Sequence, residues 1–383
     1  MLKELILGML GGTLTGLTPS LHVNTLASLI NNLDFPVEGF SFVVLVYAMG
    51  LTHTFLDAFP STFFGVPDEG TALSVLPAHR LALQGKGLEV INLSLRASLL
   101  AAIFSIALIP LYLIIAPYYT PEIGRAIVFF LAFLIIVTEK GIKRLYALFV
   151  FLLAGALGIV SDLLPLKEPF YHLFVGLFGV PAILLSLDNN NKISGGDGTI
   201  EMSHSQLVGF SFLGTIFGMM ASLLPTFTSS QAALIGSFIA RSERAFLTIT
   251  FAVNTANFVF GLGNFYSTGK TRNGVLVLIR ERYYPISLQE FLILLLATLA
   301  VAAIVNLYGL WLSKKLVNLI ERVDYRMLNA LILTTTVLGS LFLDGLFGLL
   351  VLIAATLVGL TAVFLGVKRT ACMGVLMLKV MLG

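Results

Sequence analysis

Long apolar runs recur along nearly the whole chain of 383 residues, and they constrain its fold more than any other feature. Hydrophobic residues make up 57% of the sequence and charged residues only 11%, with a mean hydropathy of +0.97. A soluble domain is about one quarter charged. Since about 20 apolar residues cross a bilayer as a helix, the sequence predicts an all-α polytopic membrane protein with about ten to twelve membrane elements.

The first apolar run carries a face of small residues that ends in a proline break. Gly8, Gly12 and Gly16 recur every four residues, which places them on one face of a helix. Such a face lets a neighbouring backbone approach closely in a membrane. Pro19 then removes a backbone donor and disfavours helical geometry at Thr18. A break of this kind persists in a bilayer only where protein or a water-filled cavity satisfies the backbone.

The same device recurs in the second half of the chain. Gly214, Gly218, Ser222 and Pro225 repeat the pattern at an offset of 206 residues. The next apolar run also matches, because residues 47–50 correspond to residues 251–254 at an offset of 204. We therefore predict two transmembrane repeats, 1–187 and 205–383, joined by a polar linker at 188–204 and inverted by analogy with common transporters.

Polar side chains follow both proline breaks and form the first candidate site. Hydroxyls, amides and helix N-termini donate hydrogen bonds to carboxylate or phosphate, so the set is suited to an anion. His22 adds a positive charge or a proton shuttle. The alternative is that these residues only pack helices together. The predicted substrate-binding residues are Thr18, Pro19, Ser20, His22, Asn24, Pro225, Thr226, Thr228, Ser229, Ser230 and Gln231.

A second set of residues is suited to a coupling ion or a gate. Adjacent carboxylates beside a Pro–Gly break bind a cation, Na⁺ or H⁺, or cap a helix N-terminus. Ionisable and amide groups within a span face the protein interior or a cavity. The set comprises Asp57, Pro67, Asp68, Glu69, Thr71, Asn254, Asn257 and Arg272. Asp162 and Asp344 are either proton carriers or loop residues.

Composition also argues against several function classes. A net charge of +3 is too small to indicate nucleic-acid binding. The single cysteine, Cys372, excludes an internal disulfide. The five histidines include no pair at metal-ligand spacing, and there is no P-loop, so neither a metal site, another cofactor nor an enzyme is predicted. The basic run EKGIKR from Glu139 marks a cytoplasmic loop of a protein in the cell membrane.

Three segments resemble a known transporter family. They read GLTPSLHVN from Gly16, GVPDEGTALSVLPAHRLALQGKG from Gly65 and GVKRTACMGVLMLKV from Gly366. The chain thereby resembles the large membrane subunit of tripartite tricarboxylate transporters, in its short archaeal branch. The bacterial members carry Pro-Gly and Pro-Gly-x-Pro, where this chain has Pro19-Ser20 and Pro67-Asp68. The resemblance implies ion-driven uptake of carboxylates with a small membrane subunit and an extracytoplasmic binding protein.

The sequence thus predicts a secondary active transporter that moves a small organic anion by alternating access around the two broken helices. The alternative is a polyprenyl-phosphate translocase, because the same breaks also resemble those of bacterial lipid-carrier translocases. That protein would bind a lipid phosphate from the bilayer at the same anion site. A structural scaffold would need neither the paired breaks nor a cavity.

Overall fold

The computed structural model describes residues 1–19, 23, 26, 30, 37–66, 72–118, 120–186, 195–223, 229–271, 273–323 and 325–382. The first half contains α1 (Leu2–Leu17), α2 (Gly39–Leu56), α3 (Ala58–Phe63), α4 (Val75–Leu83), α5 (Gly87–Ile115), α6 (Pro121–Val137), α7 (Lys143–Asp162), α8 (Pro169–Phe174) and α9 (Val180–Ser186). The second half contains α10 (His204–Leu223), α11 (Ser229–Ile239), α12 (Glu243–Thr268), α13 (Gly274–Arg282), α14 (Leu288–Ile320), α15 (Tyr325–Phe364) and α16 (Gly374–Leu382).

The polytopic all-α prediction is confirmed. Within the described residues, seven helices are long and apolar enough to cross a membrane: Gly39–Phe63, Gly87–Tyr118, Lys143–Asp162, His204–Leu223, Glu243–Thr268, Leu288–Ile320 and Asn329–Phe364. Shorter apolar helices such as Pro169–Leu185 come in addition to these seven. In α15 the backbone of Gly345 is not helical (φ 59°, ψ −143°), which divides that element into two helical parts.

Local sequence signals set several helix ends. α1 ends at Leu17, and Thr18 is extended (φ −91°, ψ 120°), as the following Pro19 predicts. The side chain of Ser242 accepts a hydrogen bond from Ala245 N at the start of α12. Ser287 and Glu290 form a reciprocal capping box at the start of α14.

The small-residue faces pack as the sequence predicts. An added Cβ on Gly8 would lie 2.2 Å from Leu45 O, and one on Gly12 would lie 2.3 Å from Met49 O. In the second half, an added Cβ on Gly214 would lie 2.6 Å from Ile249 O, and one on Gly218 would lie 2.8 Å from Val253 O. α1 therefore packs backbone to backbone on α2, and α10 does so on α12.

These contacts repeat with the spacing of the sequence repeat. Gly8 and Gly214 differ by 206 positions, and their partners Leu45 and Ile249 differ by 204. The same offsets separate the contact of Gly12 with Met49 from that of Gly218 with Val253. The packing supports the predicted duplication; the domain boundaries and the inverted relation of the halves stay predictions.

The described part of the polar linker, residues 195–203, packs on the helices around it. Gly195 O accepts a hydrogen bond from Leu88 N at 2.8 Å, and Gly195 N donates to Glu321 Oε1 at 2.8 Å. Gly198 O accepts from Asn92 Nδ2 at 2.8 Å. The linker therefore runs against α5 and the end of α14 before α10 begins.

Candidate functional site

Two spans form the centre of the molecule, one from each half. The window of the span Gly39–Phe63 is 83% buried and that of Glu243–Thr268 is 89% buried, whereas the other five candidate spans are 33–44% buried. Polar side chains on these two spans therefore face protein rather than lipid. In a membrane protein, such groups mark functional positions more often than elsewhere.

The central contact joins Asp57 and Asn254. Asn254 Nδ2 donates to Asp57 Oδ2 at 2.6 Å, and Asn254 is 8% exposed and Asp57 2%. Asp57 lies at the end of α2, between that helix and α3. Beside this pair, the hydroxyls of Thr54 and Thr255 lie 3.2 Å apart. The structure thus brings together two of the predicted coupling or gating residues, one from each half.

On the first-half side, the central contact continues to the first proline break. His53 lies one helical turn before Asp57, and its Nδ1 is 3.1 Å from Thr15 Oγ1. Thr15 lies on α1, directly before the helix ends and the chain passes through Thr18 and Pro19. His53 on α2 and Asp57 directly after it therefore connect the end of α1 with Asn254.

On the second-half side, the central contact continues to the second proline break. Asn257 lies one turn after Asn254 on α12, and its Nδ2 donates to Ser229 Oγ at 2.9 Å. Ser229 begins α11, the helix that follows Pro225 and Thr226 in the chain. A polar pathway thus runs from Thr15 through His53, Asp57, Asn254 and Asn257 to Ser229; we name it the central polar chain.

Several predicted site residues lie outside the described residues. They are Ser20, His22, Asn24, Pro67, Asp68, Glu69, Thr71, Pro225, Thr226, Thr228 and Arg272. The side chains of Ser230 and Gln231 are also outside, although both residues belong to α11. Their roles stay predictions.

The site also contains residues that sequence reasoning left out of the predicted set. Thr15, Thr54 and Thr255 are fully or nearly buried and take part in the contacts described above. The sequence signal that could have identified these threonines is weak, because threonine is common between membrane helices for packing alone. Only the pairing of the two central spans gives these hydroxyls a shared location.

Asp344 and Asp162 have different surroundings. Asp344 Oδ2 is 2.8 Å from His172 Nε2, whose other ring nitrogen is 3.0 Å from Ser340 Oγ. Asp344 also accepts a hydrogen bond of 3.0 Å from Glu168 N, just before α8 begins. Asp162 is exposed and pairs with Lys379 at 2.7 Å. Asp344 is therefore a capping residue in a buried polar cluster, and Asp162 is a surface residue.

Ion pairs join the two halves at one end of the central spans. Arg244 on α12 makes a bidentate pair with Glu89 on α5, with N–O distances of 2.6 and 2.9 Å. Arg244 also reaches Glu201 of the linker at 2.7 Å, and Lys86 reaches the same carboxylate at 2.7 Å. The hydrogen bond from Lys86 lowers the pKa of Glu201 below its ordinary value. The network holds the linker against both halves.

The described helices are those of a multi-pass membrane protein whose two most buried spans share a polar interior. Residues 2–374 match the family model described as "Tripartite tricarboxylate transporter TctA family". The chain belongs to this family, which confirms the resemblance found in the three motifs. It is therefore a membrane transporter of the tricarboxylate transporter type in the cell membrane, and its family is one of transporters rather than enzymes.

The chain is also similar to a protein of the archaeon Methanocaldococcus jannaschii that is described only as uncharacterized. The two are 29% identical over 400 residues, which cover 100% of this chain and 98% of that protein. No solved structure matches the chain. TctA proteins are the large subunit of a tripartite system that includes a small membrane subunit and a binding protein.

Proposed function

We propose that the chain is a secondary active transporter of an organic anion with carboxylate groups, driven by a gradient of Na⁺ or H⁺. The observation that carries the proposal is the central polar chain, which links the two proline-interrupted segments through the most buried spans. The substrate binds where these segments meet, and access alternates around it.

The chemistry of the central polar chain supports an anion site beside a cation site. Ser229, Asn257 and the backbone amides that start α11 are hydrogen-bond donors at a helix N-terminus, where a negative charge is stabilised. Asp57 supplies a buried carboxylate 2.6 Å from Asn254 Nδ2, which is suited to a proton or a Na⁺ ion. A transported anion and a coupling cation would thus lie on adjacent turns of the two central helices.

The protein acts with a small membrane subunit and an extracytoplasmic binding protein, as proposed from its family. The binding protein would deliver the anion to the large subunit. All residues of the central polar chain belong to this one subunit, so ligand binding is expected to be measurable without the partners.

The test is ligand-induced thermal stabilisation of the purified chain, followed by uptake into proteoliposomes. The panel contains succinate, citrate and a short-chain polyprenyl phosphate. A ligand at 100 times its Kd stabilises the folded state by about 2.7 kcal/mol. Stabilisation by succinate or citrate, with uptake that an imposed Na⁺ or H⁺ gradient accelerates, is expected. A shift with the lipid phosphate alone would make the protein a lipid-carrier translocase instead.

Variants assign the binding to the candidate site. Asn257→Ala removes the amide beside Ser229 and is expected to weaken carboxylate binding about tenfold or more, since a hydrogen bond to a charged group contributes roughly 1.5–3 kcal/mol. The matched control is Asn318→Ala, on an exposed face of α14. Normal transport by a folded Asn24→Ala/Ser230→Ala double variant would show that neither of these two residues, one from each broken segment, is needed for substrate binding.

A further inference from the structure

Arg369 is a buried cation outside the central polar chain. It is 7% exposed and is the only lysine or arginine that is buried among the residues the structure describes. Its Nη1 donates to Phe178 O at 2.8 Å, while Nε is buried and has no hydrogen-bond partner. Within the described chain no carboxylate forms an ion pair with it. A buried charge in this state is costly unless something else compensates it.

The surroundings hold the guanidinium in a fixed place. Phe178 lies in the π-helical turn Val175–Gly179, a kind of turn that is frequent at functional sites. The residues before Arg369 are anchored to the loop between α6 and α7. Lys368 N donates to Glu139 Oε1 at 2.9 Å, and Lys143 Nζ donates to Gly366 O at 2.8 Å.

The segment shares an apolar cluster with residues that follow both interrupted regions in the chain. Ala371, Cys372 and Met373 belong to one buried apolar cluster that also contains Ala72 and Leu73, and Ala232 and Leu234 of α11. Ala72 follows the Pro-Gly break of the first half, and α11 follows Pro225 of the second half. Phe178 is one helical turn from Ala182, which is 3.8 Å from the position of a Cβ on Gly65.

We propose that Arg369 binds a carboxylate group of the transported anion through its unpartnered Nε edge. The planar guanidinium fork matches the two oxygens of a carboxylate, and a carboxylate would supply both the missing hydrogen bond and the missing negative charge. This inference rests on the proposed function and names a second contact for the same substrate. A purely structural arginine would have its donors satisfied within the protein. Arg244 is an example, because its Nε and Nη2 both donate to the Glu89 carboxylate.

The experiment compares Arg369→Met, Arg369→Lys and the control Lys368→Gln in the purified full chain. Lys368 is exposed and adjacent, so its replacement removes the same charge without touching the buried guanidinium. Thermal unfolding is measured without ligand and with citrate, succinate and inorganic phosphate as the probes. We expect Arg369→Met to weaken citrate or succinate binding by about 10- to 100-fold, the range for a charge-assisted hydrogen bond.

The ligand-free stability separates binding from structure. Because an unpaired buried charge is removed, ligand-free Arg369→Met is expected to unfold at the same temperature as the wild type or higher, with Lys368→Gln unchanged in stability and affinity. A lower unfolding temperature with unaltered carboxylate affinity would show a structural role and overturn the inference. Arg369→Lys keeps the charge without the fork, so a folded Arg369→Lys protein with wild-type affinity would also overturn it.

The outcomes distinguish this inference from the proposed function. If the wild type binds a carboxylate and both Arg369 variants bind it equally well, the role of Arg369 is refuted and the proposed function stands. A different result would refute both the carboxylate assignment and the proposed function. In that result the wild type binds phosphate but neither citrate nor succinate, and the Arg369 variants lose the phosphate binding.

Discussion

Replacing Gly12 by alanine tests the close packing that places the central spans. The new Cβ would lie 2.3 Å from Met49 O and 2.6 Å from Thr52 Cβ. Met49 O is a backbone atom in the middle of α2, so it cannot rotate away as a flexible side chain does. Favourable contacts between heavy atoms need about 3.5–4.0 Å, so α1 must move away from α2 by roughly 1–2 Å.

The cost of this movement follows from core overpacking. An extra methyl group in a well-packed site costs typically about 1–3 kcal/mol. The helix propensity of alanine opposes this by up to about 1 kcal/mol relative to glycine. The matched control is Gly209→Ala on the exposed face of α10, where a Cβ meets nothing within 4 Å and only the propensity changes. Gly12→Ala is therefore expected to be less stable than Gly209→Ala by about 1–3 kcal/mol.

The assay is thermal unfolding of the purified variants, together with uptake of the carboxylate that stabilises the wild type. Gly218→Ala is the equivalent change in the second half, with the new Cβ 2.6 Å from Ala256 Cβ, and should behave like Gly12→Ala. Gly12→Leu should be more damaging still. Equal stability of Gly12→Ala and Gly209→Ala would refute the close approach of α1 and α2, and with it the packing argument for the repeat.

Three further experiments test other features of the structure. Asn254→Ala removes a donor from the buried Asp57 carboxylate and is expected to destabilise the protein by about 1.5–3 kcal/mol; an unchanged unfolding temperature would contradict the contact. Arg244→Gln breaks a pair whose carboxylate is buried and should cost about 3–5 kcal/mol, whereas Arg80→Gln breaks an exposed pair worth about 0–1 kcal/mol; equal losses of stability would refute this ranking. Burial raises the pKa of the Cys372 thiol to about 12, so at pH 8 a thiol reagent should label it only after unfolding, and rapid labelling of the native protein would contradict its burial.

Local patterns in the sequence predicted the spans and their small-residue faces. The four-residue spacing of Gly8 and Gly12 already defines one face of a helix, and close helix packing is what such a face is suited to. The position of Pro19 likewise predicted the end of α1 at Leu17. These features depend on residues a few positions apart in the sequence, so they can be predicted without knowing the fold.

The contacts between distant parts of the chain could not be predicted from the sequence. Asp57 and Asn254 are 197 positions apart, and each was predicted as a polar residue within a span without its partner. The segment with Arg369 was recognised as a family motif, but the sequence around it gave no sign that this guanidinium is buried against Phe178. Burial depends on how α7, α15 and the turn that contains Phe178 assemble around it, which a single sequence does not encode in any local pattern.

The kinds of contact within and between the helix pairs differ, and this bears on how the transporter moves. Within the pairs, glycines bring backbone against backbone, as Gly12 does at Met49 O. Between the pairs, side chains meet instead: Asn254 reaches Asp57, and an added Cβ on Gly50 would meet the end of the Phe258 ring at 2.6 Å. Side chains change rotamer and hydrogen-bond partner more easily than packed backbones separate. Alternating access, as proposed above, should therefore shift the α1–α2 pair against the α10–α12 pair, with the central polar chain at the moving boundary.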